Sequence, residues 1–277
     1  MRAVLGIDAA WTLNQPSGIA LVVETAEGWH LKALAPSYQR FHACADDGLA
    51  PEIRPTGSRP DAAALLDSCS RLCGRKPDLV AVDMPLSLQP IEGRRCSDNA
   101  VSRAYGNRQC GTHTPSSLRP GLISGELRIG FEAAGYPLQT VVIAPPGLIE
   151  VYPHPALVEL ANAAERLPYK AAKVRRYWPD CEREERRAAL YSQWRKIIRL
   201  LEDEISGVAV ALPELAAKAS GTEVKSYEDM LDAIVCAWVA ICALNGRAAP
   251  FGDRQSAIWI PEGGTASTRL TESSTTL

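Results

Sequence analysis

Short apolar runs separated by polar turns dominate the beginning of the chain and predict β-strands. Residues 4–7 form one run that ends at Asp8, residues 18–23 form a second, and residues 29–34 form a third. Runs of this length that are bounded by turn-forming residues are typical of strands. The links between them are short, whereas parallel neighbours need long crossovers. The pattern therefore predicts three strands in an antiparallel meander.

A helix and a fourth strand follow the predicted meander. Residues 60–73 carry apolar side chains at helical spacing, and residues 78–83 form another apolar run, which ends at Asp83. A meander followed by one helix and one strand favours a mixed sheet in which the fourth strand returns beside the first. This arrangement predicts that Asp8 and Asp83 lie at neighbouring strand ends.

The remaining sequence predicts one domain with an insertion and a tail. We assign residues 1–262 to a single domain and residues 263–277 to a Gly-, Ser- and Thr-rich disordered tail. Residues 87–145 are rich in Gly, Pro and Arg with little periodicity, which indicates an insertion after the fourth strand. Further predicted elements are a helical part of that insertion at 98–105, a strand at 148–152, and helices at 182–205 and 226–244.

Composition and charge exclude several classes of protein. The 277 residues include 30 basic and 32 acidic side chains, so the net charge of −2 offers no general attraction for polyanions or anionic membranes. No apolar run reaches the length of about 18 residues expected of a membrane span, and no signal peptide is recognisable. Eight cysteines are scattered along a chain too long to need disulfides. We expect a soluble cytoplasmic protein.

Four aspartates carry the candidate chemistry. Asp8 and Asp83 each end an apolar strand, Asp232 interrupts the apolar part of the last helix, and Asp229 precedes it by three residues on the same helix face. A charge in such a position is costly unless it is neutralised. The alternative readings are strand-end aspartates that turn the chain and, for Asp229, a capping box with Ser226.

Converging carboxylates predict a site for a hard divalent cation. Oxygen ligands suit Mg²⁺ or Mn²⁺, and such ions hold a phosphate and activate water for in-line attack. We therefore predict that Asp8, Asp83 and Asp232 bind metal, and that Asp229 and Glu150 assist in phosphodiester hydrolysis. Repulsion within a metal-free cluster predicts that Asp232→Asn melts higher than the wild type in EDTA. A structural ion pair at Asp232 predicts the reverse.

At these residues the chain resembles the ribonuclease-H-like nucleases. In that superfamily an aspartate on the first strand, an acid on the fourth and an acid on the last helix bind the metals. Asp8, Asp83 and Asp232 match those places, and the pair Asp229 and Asp232 is similar to the paired acids of Holliday-junction resolvases. The resemblance implies an α/β fold with a ribonuclease-H-like mixed five-stranded sheet flanked by helices, and an insertion after the fourth strand.

A narrower resemblance rests on five short motifs in a fixed order. They are similar to those of the domain-of-unknown-function 429 family, described as predicted nucleases, and the match spans roughly residues 1–245. The resemblance implies a divalent-metal-dependent nuclease that acts on DNA or RNA. The motifs are GIDAAW at residues 6–11, VDMPL at 82–86, RCSD at 95–98, EVYPHP at 150–155 and DMLDA at 229–233.

Basic residues supply the candidate substrate contacts. Arg94, Arg95 and Arg103 lie in the insertion after Asp83, and Lys170 lies further along the chain; their charges suit phosphate oxygens. A solvated loop is the alternative for the arginines. Glu150 is either a further metal ligand or the ion-pair partner of Lys170 or of an arginine.

Three alternatives stay open. Cys96, Cys110 and His113 suggest zinc, but their spacing lacks the paired Cys-x-x-Cys pattern.

Actin-like and sugar kinases share the core fold, which makes a phosphotransferase the first alternative function, although no Gly-rich phosphate loop is present. The second is a non-catalytic nucleic-acid-binding or scaffold module. Resolvase-like chemistry favours a homodimer, and the sequence does not choose between DNA and RNA.

Overall fold

The computed structural model describes residues 1–46 and 54–263, and within these ranges it is an α/β fold built on one seven-stranded mixed sheet. The strands are β1 (Ala3–Asp8), β2 (Gly18–Thr25), β3 (Gly28–Ala35), β4 (Leu79–Val82), β5 (Gly147–Val151), β6 (Ala248–Gly252) and β7 (Ala257–Pro261). The helices are α1 (Tyr38–Ala45), α2 (Ala62–Cys73), α3 (Cys96–Tyr105), α4 (Leu122–Ala133), α5 (Pro153–Leu160), α6 (Val174–Tyr177), α7 (Arg183–Glu204), α8 (Val208–Ala211) and α9 (Gly221–Leu244).

The strand order of the sheet is β3-β2-β1-β4-β5-β7-β6. Strands β1, β2 and β3 are antiparallel, while β1, β4, β5 and β7 run parallel to one another and β6 pairs antiparallel with β7. The predicted meander and the return of β4 beside β1 are thus confirmed. The four central parallel strands are almost wholly buried, as expected where helices cover both faces of a sheet.

Two features of the fold were not predicted from the sequence. The sheet has seven strands in the described residues instead of five, because β6 and β7 form a hairpin after α9; Pro250 fits the edge strand β6, where a missing donor costs little. The insertion 87–145 contains α4 as well as the expected α3, and the glycines within α4 weaken its helical pattern. The predicted disordered tail lies outside the described residues from 264 onward.

Alternation along the strands divides the core into two layers. On β1, Val4 packs toward the layer that contains α5, α7 and α9, whereas Leu5 and Ile7 pack toward the layer that contains α1, α2 and α4. Successive side chains of a strand point to opposite faces of the sheet. Asp8 therefore lies on the same face as Val4, which is the face that α9 covers.

Two glycines allow α9 to approach this face closely. A Cβ on Gly6 would lie 2.1 Å from the carbonyl oxygen of Ala233, and a Cβ on Gly18 would lie 2.1 Å from the carbonyl oxygen of Asp229. Both contacts are with helix backbone, which has no flexible end that can move aside. The backbone of α9 can thus pack directly on β1 and β2, next to the strand end that carries Asp8.

We predict that Gly6→Ala destabilises the protein by about 1–3 kcal/mol or more, because overpacking forces α9 away from the sheet. Urea unfolding measures the change in the free energy of unfolding. Gly125→Ala in α4 is the control, since nothing lies within 4 Å of the added Cβ and alanine is the better helix former. Equal stability of the Gly6 variant and the wild type would contradict the close-packing account.

No helix in the described ranges is long and apolar enough to cross a membrane. The longest apolar helical segment belongs to α9, whose residues from Leu231 to Ala243 are buried in the protein core. The part of α9 after Asp232 is apolar on all sides because it is packed between the sheet and other helices.

Candidate active site

The first two aspartates of the site extend from neighbouring parallel strands. Asp8 is the last residue of β1, Asp83 follows directly after β4, and the backbone N–H of Asp83 donates to the carbonyl of Ile7 at 2.9 Å. On β4, Leu79 and Ala81 face the α9 layer, so the alternation places Asp83 on that side as well. Both carboxylates are half-buried and lie beside α9, as predicted from the sequence.

Helix α9 brings two further aspartates to the same place. It begins at Gly221 with a capping box in which the Ser220 hydroxyl accepts from the Glu223 N–H at 3.2 Å, and the Glu223 carboxylate accepts from the Ser220 N–H at 2.6 Å. Asp229 therefore lies two turns inside the helix, which excludes the alternative of a capping box with Ser226. Asp229 and Asp232 are both buried on the side that packs against the sheet.

A cavity of about 510 Å³ opens at this point, where three of the four aspartates meet basic and aromatic side chains. Asp8, Asp83 and Asp229 line it, whereas Asp232 does not. The remaining lining residues are Ala9, Ala10, Trp11, Gln15, Pro16, His113, Thr114, Arg119 and Lys225. We call this space the carboxylate cavity. It combines acidic groups with two cations, Arg119 and Lys225, that face the same space.

The carboxylates of the cavity repel one another strongly. Burial raises the pKa of Asp8 well above its usual range, and the charges of Asp229, Asp232 and Asp83 raise it further while Lys170 opposes them. Burial together with Asp232 raises the pKa of Asp83 to about 7. The pKa of Asp229 is raised by burial, although Lys225 and a hydrogen bond with Asp8 oppose the shift. The cavity thus holds more negative charge than its lysines neutralise, which favours a bound proton or cation.

Asp232 has its own partners within the protein. Its carboxylate accepts a hydrogen bond from the Tyr169 hydroxyl at 2.8 Å and forms an ion pair with Lys170, whose ammonium also lies 3.5 Å from Glu228. Burial lowers the pKa of Lys170, but the surrounding carboxylates outweigh it and hold that pKa well above its usual range. Lys170 therefore binds Asp232 inside the protein, and the prediction that it contacts substrate does not fit this position.

These contacts reverse the expectation for the Asp232 variant. We now predict that Asp232→Asn lowers the melting temperature in EDTA and costs about 1–3 kcal/mol, because Lys170 loses its charged partner in a buried site. Asp180→Asn serves as the control, since Asp180 is exposed and makes no ion pair among the described residues. Differential scanning fluorimetry measures both variants. A variant that melts higher than the wild type in EDTA would restore the interpretation of Asp232 as a repelled metal ligand.

Glu150 lies on the opposite face of the sheet from Asp83. It pairs with Val82 in register, and its strand neighbour Leu148 belongs to the layer of α1, α2 and α4. Its carboxylate accepts two hydrogen bonds from Arg95 at 2.6 and 2.7 Å and one from the Leu86 N–H at 2.7 Å. Of the readings open in the sequence, the ion pair with an arginine is the one that the contacts support.

Arg95 is the centre of this buried network and is not free to bind substrate. Its guanidinium donates to Asp98 at 2.8 and 3.0 Å and to the Leu86 carbonyl at 2.7 Å, in addition to Glu150. These contacts use all five N–H groups of the Arg95 guanidinium. The predicted substrate contact of Arg95 is thus replaced by a structural one that fixes the chain after β4 onto β5.

The other predicted substrate contacts lie outside the carboxylate cavity. Arg94 is exposed but hydrogen-bonds to Asn99 at 2.7 Å and to the carbonyl of Asp98 at 2.9 Å, while Arg103 is exposed on α3. Of the two cations that do line the cavity, sequence reasoning missed Lys225 and counted Arg119 only among the arginines of the insertion that favour a substrate clamp. Lys225 precedes Asp229 by one helical turn, and that spacing was the available signal. Arg119 stands in the aperiodic part of the insertion and carries no such signal.

The candidate zinc ligands do not come together. Cys110 is buried in a small apolar cluster, Cys96 is exposed near Asp253, and His113 lines the carboxylate cavity. Within residues 1–46 and 54–263, no group of three or more His, Cys, Asp or Glu side chains is arranged to hold a metal ion. The acids are paired with ammonium groups instead: Lys225 pairs with Asp229 at the carboxylate cavity, and Lys170 pairs with Asp232 behind it.

Comparison with known proteins identifies the family of one segment. No curated protein and no solved structure matches the chain. Residues 132–256 match the model of a family described as a protein of unknown function, DUF429. The matched segment contains the motifs at residues 150–155 and 229–233, whereas Asp8 and Asp83 precede it. The predicted resemblance to the DUF429 family is thus confirmed over residues 132–256.

Proposed function

We propose that the protein is a divalent-metal-dependent nuclease that hydrolyses phosphodiester bonds of DNA or RNA in the carboxylate cavity. The observation that carries the proposal is the convergence of Asp8, Asp83 and Asp229 on one open cavity that also contains Lys225 and Arg119. Carboxylates attract hard cations, and neighbouring basic groups attract phosphate oxygens. A site with both kinds of group suits a phosphate ester bound next to a metal.

We further propose that the sheet is of the ribonuclease-H-like type. The order β3-β2-β1-β4-β5, with three antiparallel strands followed by two parallel ones, supports this assignment. The positions of Asp8 at the end of β1, Asp83 after β4 and Asp229 on α9 agree with it. On this proposal, β7 and β6 are additions at the edge beyond β5. The eight free cysteines agree with a place of action in the cytoplasm.

The donor atoms of the cavity are of the kind that Mg²⁺ and Mn²⁺ prefer, and the acids would have to draw together around the ion, because no group of three is arranged to hold one in the described residues. Asp8, Asp83 and Asp229 offer only oxygen ligands, and the raised pKa values of the three acids indicate negative charge that a cation would neutralise. Lys225 now pairs with Asp229, but its side chain is 56% exposed and can turn toward solvent. A bound divalent ion would polarise the phosphate and lower the pKa of a bound water.

The protein groups have distinct tasks in this proposal. Asp8, Asp83 and Asp229 would hold the metal, while Asp232 orients Lys170 and lies behind the cavity as a positioning residue. Lys225 and Arg119 hold the phosphate oxygens of the substrate. A hydrogen bond with Asp8 lowers the pKa of Asp229 against the effect of burial, so the two carboxyl groups face one another, and a cation bound between them would neutralise both. The ligand set predicted from the sequence thus changes in one position, with Asp229 in place of Asp232.

The activity test is a hydrolysis screen over single-stranded, duplex, hybrid and four-way-junction substrates, with Mg²⁺ or Mn²⁺ and with EDTA. We expect metal-dependent cleavage of at least one class, together with its loss in a variant of the cavity. Cleavage that persists in EDTA would contradict a metal mechanism. Absence of cleavage of every class with both metals would remove the nuclease assignment and leave a binding or scaffold role.

We predict that Lys225→Met tightens Mn²⁺ binding about fivefold, because the ammonium no longer competes for Asp229; a partly exposed ion pair contributes up to about 1 kcal/mol. Titration calorimetry measures the affinity. Lys196→Met is the control. Lys196 is exposed on α7, does not line the carboxylate cavity and forms no ion pair with a described residue. Weaker Mn²⁺ binding by the Lys225 variant than by the control would contradict the competition.

A further inference from the structure

A second cavity, of about 550 Å³, lies beside the carboxylate cavity and has the opposite charge. Its lining includes three basic side chains, one acidic side chain and two neighbouring aromatic rings. The function proposed above makes no use of it. We call this space the basic cavity, and it is lined by Gln109, Gly111, Glu165, Arg166, Pro168, Lys173, Arg176, Tyr177 and Trp178.

The positive charge of the basic cavity is not neutralised from within the described chain. None of Arg166, Lys173 and Arg176 forms an ion pair with a described residue, and the carboxylate of Glu165 accepts a hydrogen bond from Gln109 instead. Burial lowers the pKa of Lys173, and the neighbouring cations lower it further. A lysine that shares a cavity with two unpaired arginines, and whose pKa these cations lower, indicates a site to which an anion would bind.

Two buried donors of this cavity also lack partners. The Arg166 Nε and the Tyr177 hydroxyl are shielded from solvent and have no hydrogen-bond partner among the described residues. Buried polar groups are nearly always hydrogen-bonded, and each exception asks for an explanation such as a missing ligand. Both residues line the basic cavity, so its wall carries two donors whose hydrogen bonds the described chain does not supply and which a small side-chain movement would turn toward a bound anion.

One short segment forms walls of both cavities. Gln109 and Gly111 line the basic cavity, and His113 and Thr114 line the carboxylate cavity. Tyr152 fixes this segment, since its hydroxyl donates to the Gly111 carbonyl at 3.3 Å. A ligand with phosphates along its length can therefore reach from the basic cavity past this segment to the aspartates.

We propose that the basic cavity binds a phosphate group of a single-stranded oligonucleotide whose neighbouring phosphodiester lies in the carboxylate cavity; the second half of this statement rests on the proposed nuclease function. Arg166, Lys173 and Arg176 hold the phosphate. Tyr177 and Trp178, whose ring centroids are 5.6 Å apart, present aromatic surface to a nucleobase. A basic groove with aromatic side chains is typical of proteins that bind single-stranded nucleic acid.

The test measures binding without catalysis. Fluorescence anisotropy of a labelled single-stranded oligonucleotide is followed in EDTA over a range of salt concentrations, for the wild type and for Lys173→Ala/Arg176→Ala. The matched control is Lys196→Ala/Arg199→Ala, which removes the same two charges at the same spacing from exposed positions on α7. Arg166→Ala is the second variant, and thermal melts confirm that each variant is folded.

We expect the Lys173/Arg176 double variant to bind at least about tenfold more weakly, with a salt slope that is smaller by roughly 0.7, because the one phosphate held in the basic cavity is no longer neutralised. The control should bind within about twofold of the wild type. Pyrophosphate should compete with the oligonucleotide only at much higher concentration, since it supplies the anion without the base. Equal effects of both double variants, tight pyrophosphate binding with no preference for the oligonucleotide, or no binding by the wild type would each overturn the proposal.

Cleavage assays separate this inference from the proposed function. A wild type that binds the oligonucleotide through the basic cavity but cleaves no substrate would remove the nuclease assignment and leave the binding site intact. Metal-dependent cleavage with an unchanged KM in the Lys173/Arg176 double variant would retain the nuclease and overturn the binding site.

Discussion

Asp8→Asn and Asp83→Asn are each expected to reduce metal-dependent hydrolysis by more than about 100-fold while the protein stays folded. Even a residue that only supports a metal ligand typically contributes 10- to 100-fold, and these two aspartates are proposed as ligands themselves. Both line the open cavity and are half-buried, so the isosteric amide leaves no void in the core. Relief of the repulsion among the carboxylates should keep each variant at least as stable as the wild type in EDTA.

Turnover at saturating Mn²⁺ and the melting temperature in EDTA are measured together for this prediction. Asp180→Asn is the control, because Asp180 is an exposed aspartate that lies outside the carboxylate cavity. A variant that keeps most of the wild-type turnover at saturating metal would remove that aspartate from the mechanism. A variant that is inactive because it is unfolded in EDTA would show that the aspartate stabilises the fold instead.

Arg95→Ala is expected to destabilise the protein by about 3–5 kcal/mol, because it leaves two buried carboxylates without their partner. Glu150 and Asp98 both bind the Arg95 guanidinium and are almost inaccessible to solvent. The same guanidinium holds the Leu86 carbonyl at 2.7 Å, so the segment after β4 that follows Asp83 should loosen as well. Loss of activity should therefore accompany loss of stability in this variant.

Urea unfolding tests this prediction, and Arg103→Ala is the control because Arg103 is exposed on the same helix region. The control should change the free energy of unfolding by less than about 0.5 kcal/mol. A conservative variant, Arg95→Lys, should recover only part of the stability, since an ammonium cannot bind both carboxylates in the bidentate way. A loss below about 1 kcal/mol in Arg95→Ala would contradict the role of the network.

The aspartates at the strand ends could be predicted because apolar runs reveal where buried strands stop. Asp8 and Asp83 each follow such a run, and the order of a meander, a helix and a strand favours the return of β4 beside β1, as observed. Asp229 and Asp232 were predictable as part of a buried helix. The close approach of that helix to the sheet depends on Gly6 and Gly18. No local sequence pattern shows that these two glycines contact the backbone of α9.

The partners of the charged residues could not be predicted in the same way. Arg95 and Lys170 are buried with acidic partners 55 and 62 residues away along the chain, and a basic side chain in an irregular segment is ordinarily solvated. The position of Glu150 could be predicted only from the register of β5 against β4, because a shift of one residue would move its side chain to the other face of the sheet. These are long-range contacts that only the folded chain defines.

Binding of Mn²⁺ to the purified protein is the most direct test of the central claim that the carboxylate cavity is a divalent-metal site. Electron paramagnetic resonance counts free and bound Mn²⁺ without any substrate. We expect saturable binding by the wild type, loss of that binding in Asp8→Asn/Asp83→Asn, and a melting temperature of the wild type that rises with Mn²⁺ concentration. Equal Mn²⁺ binding by the wild type and the double variant, or none by either, would contradict the claim.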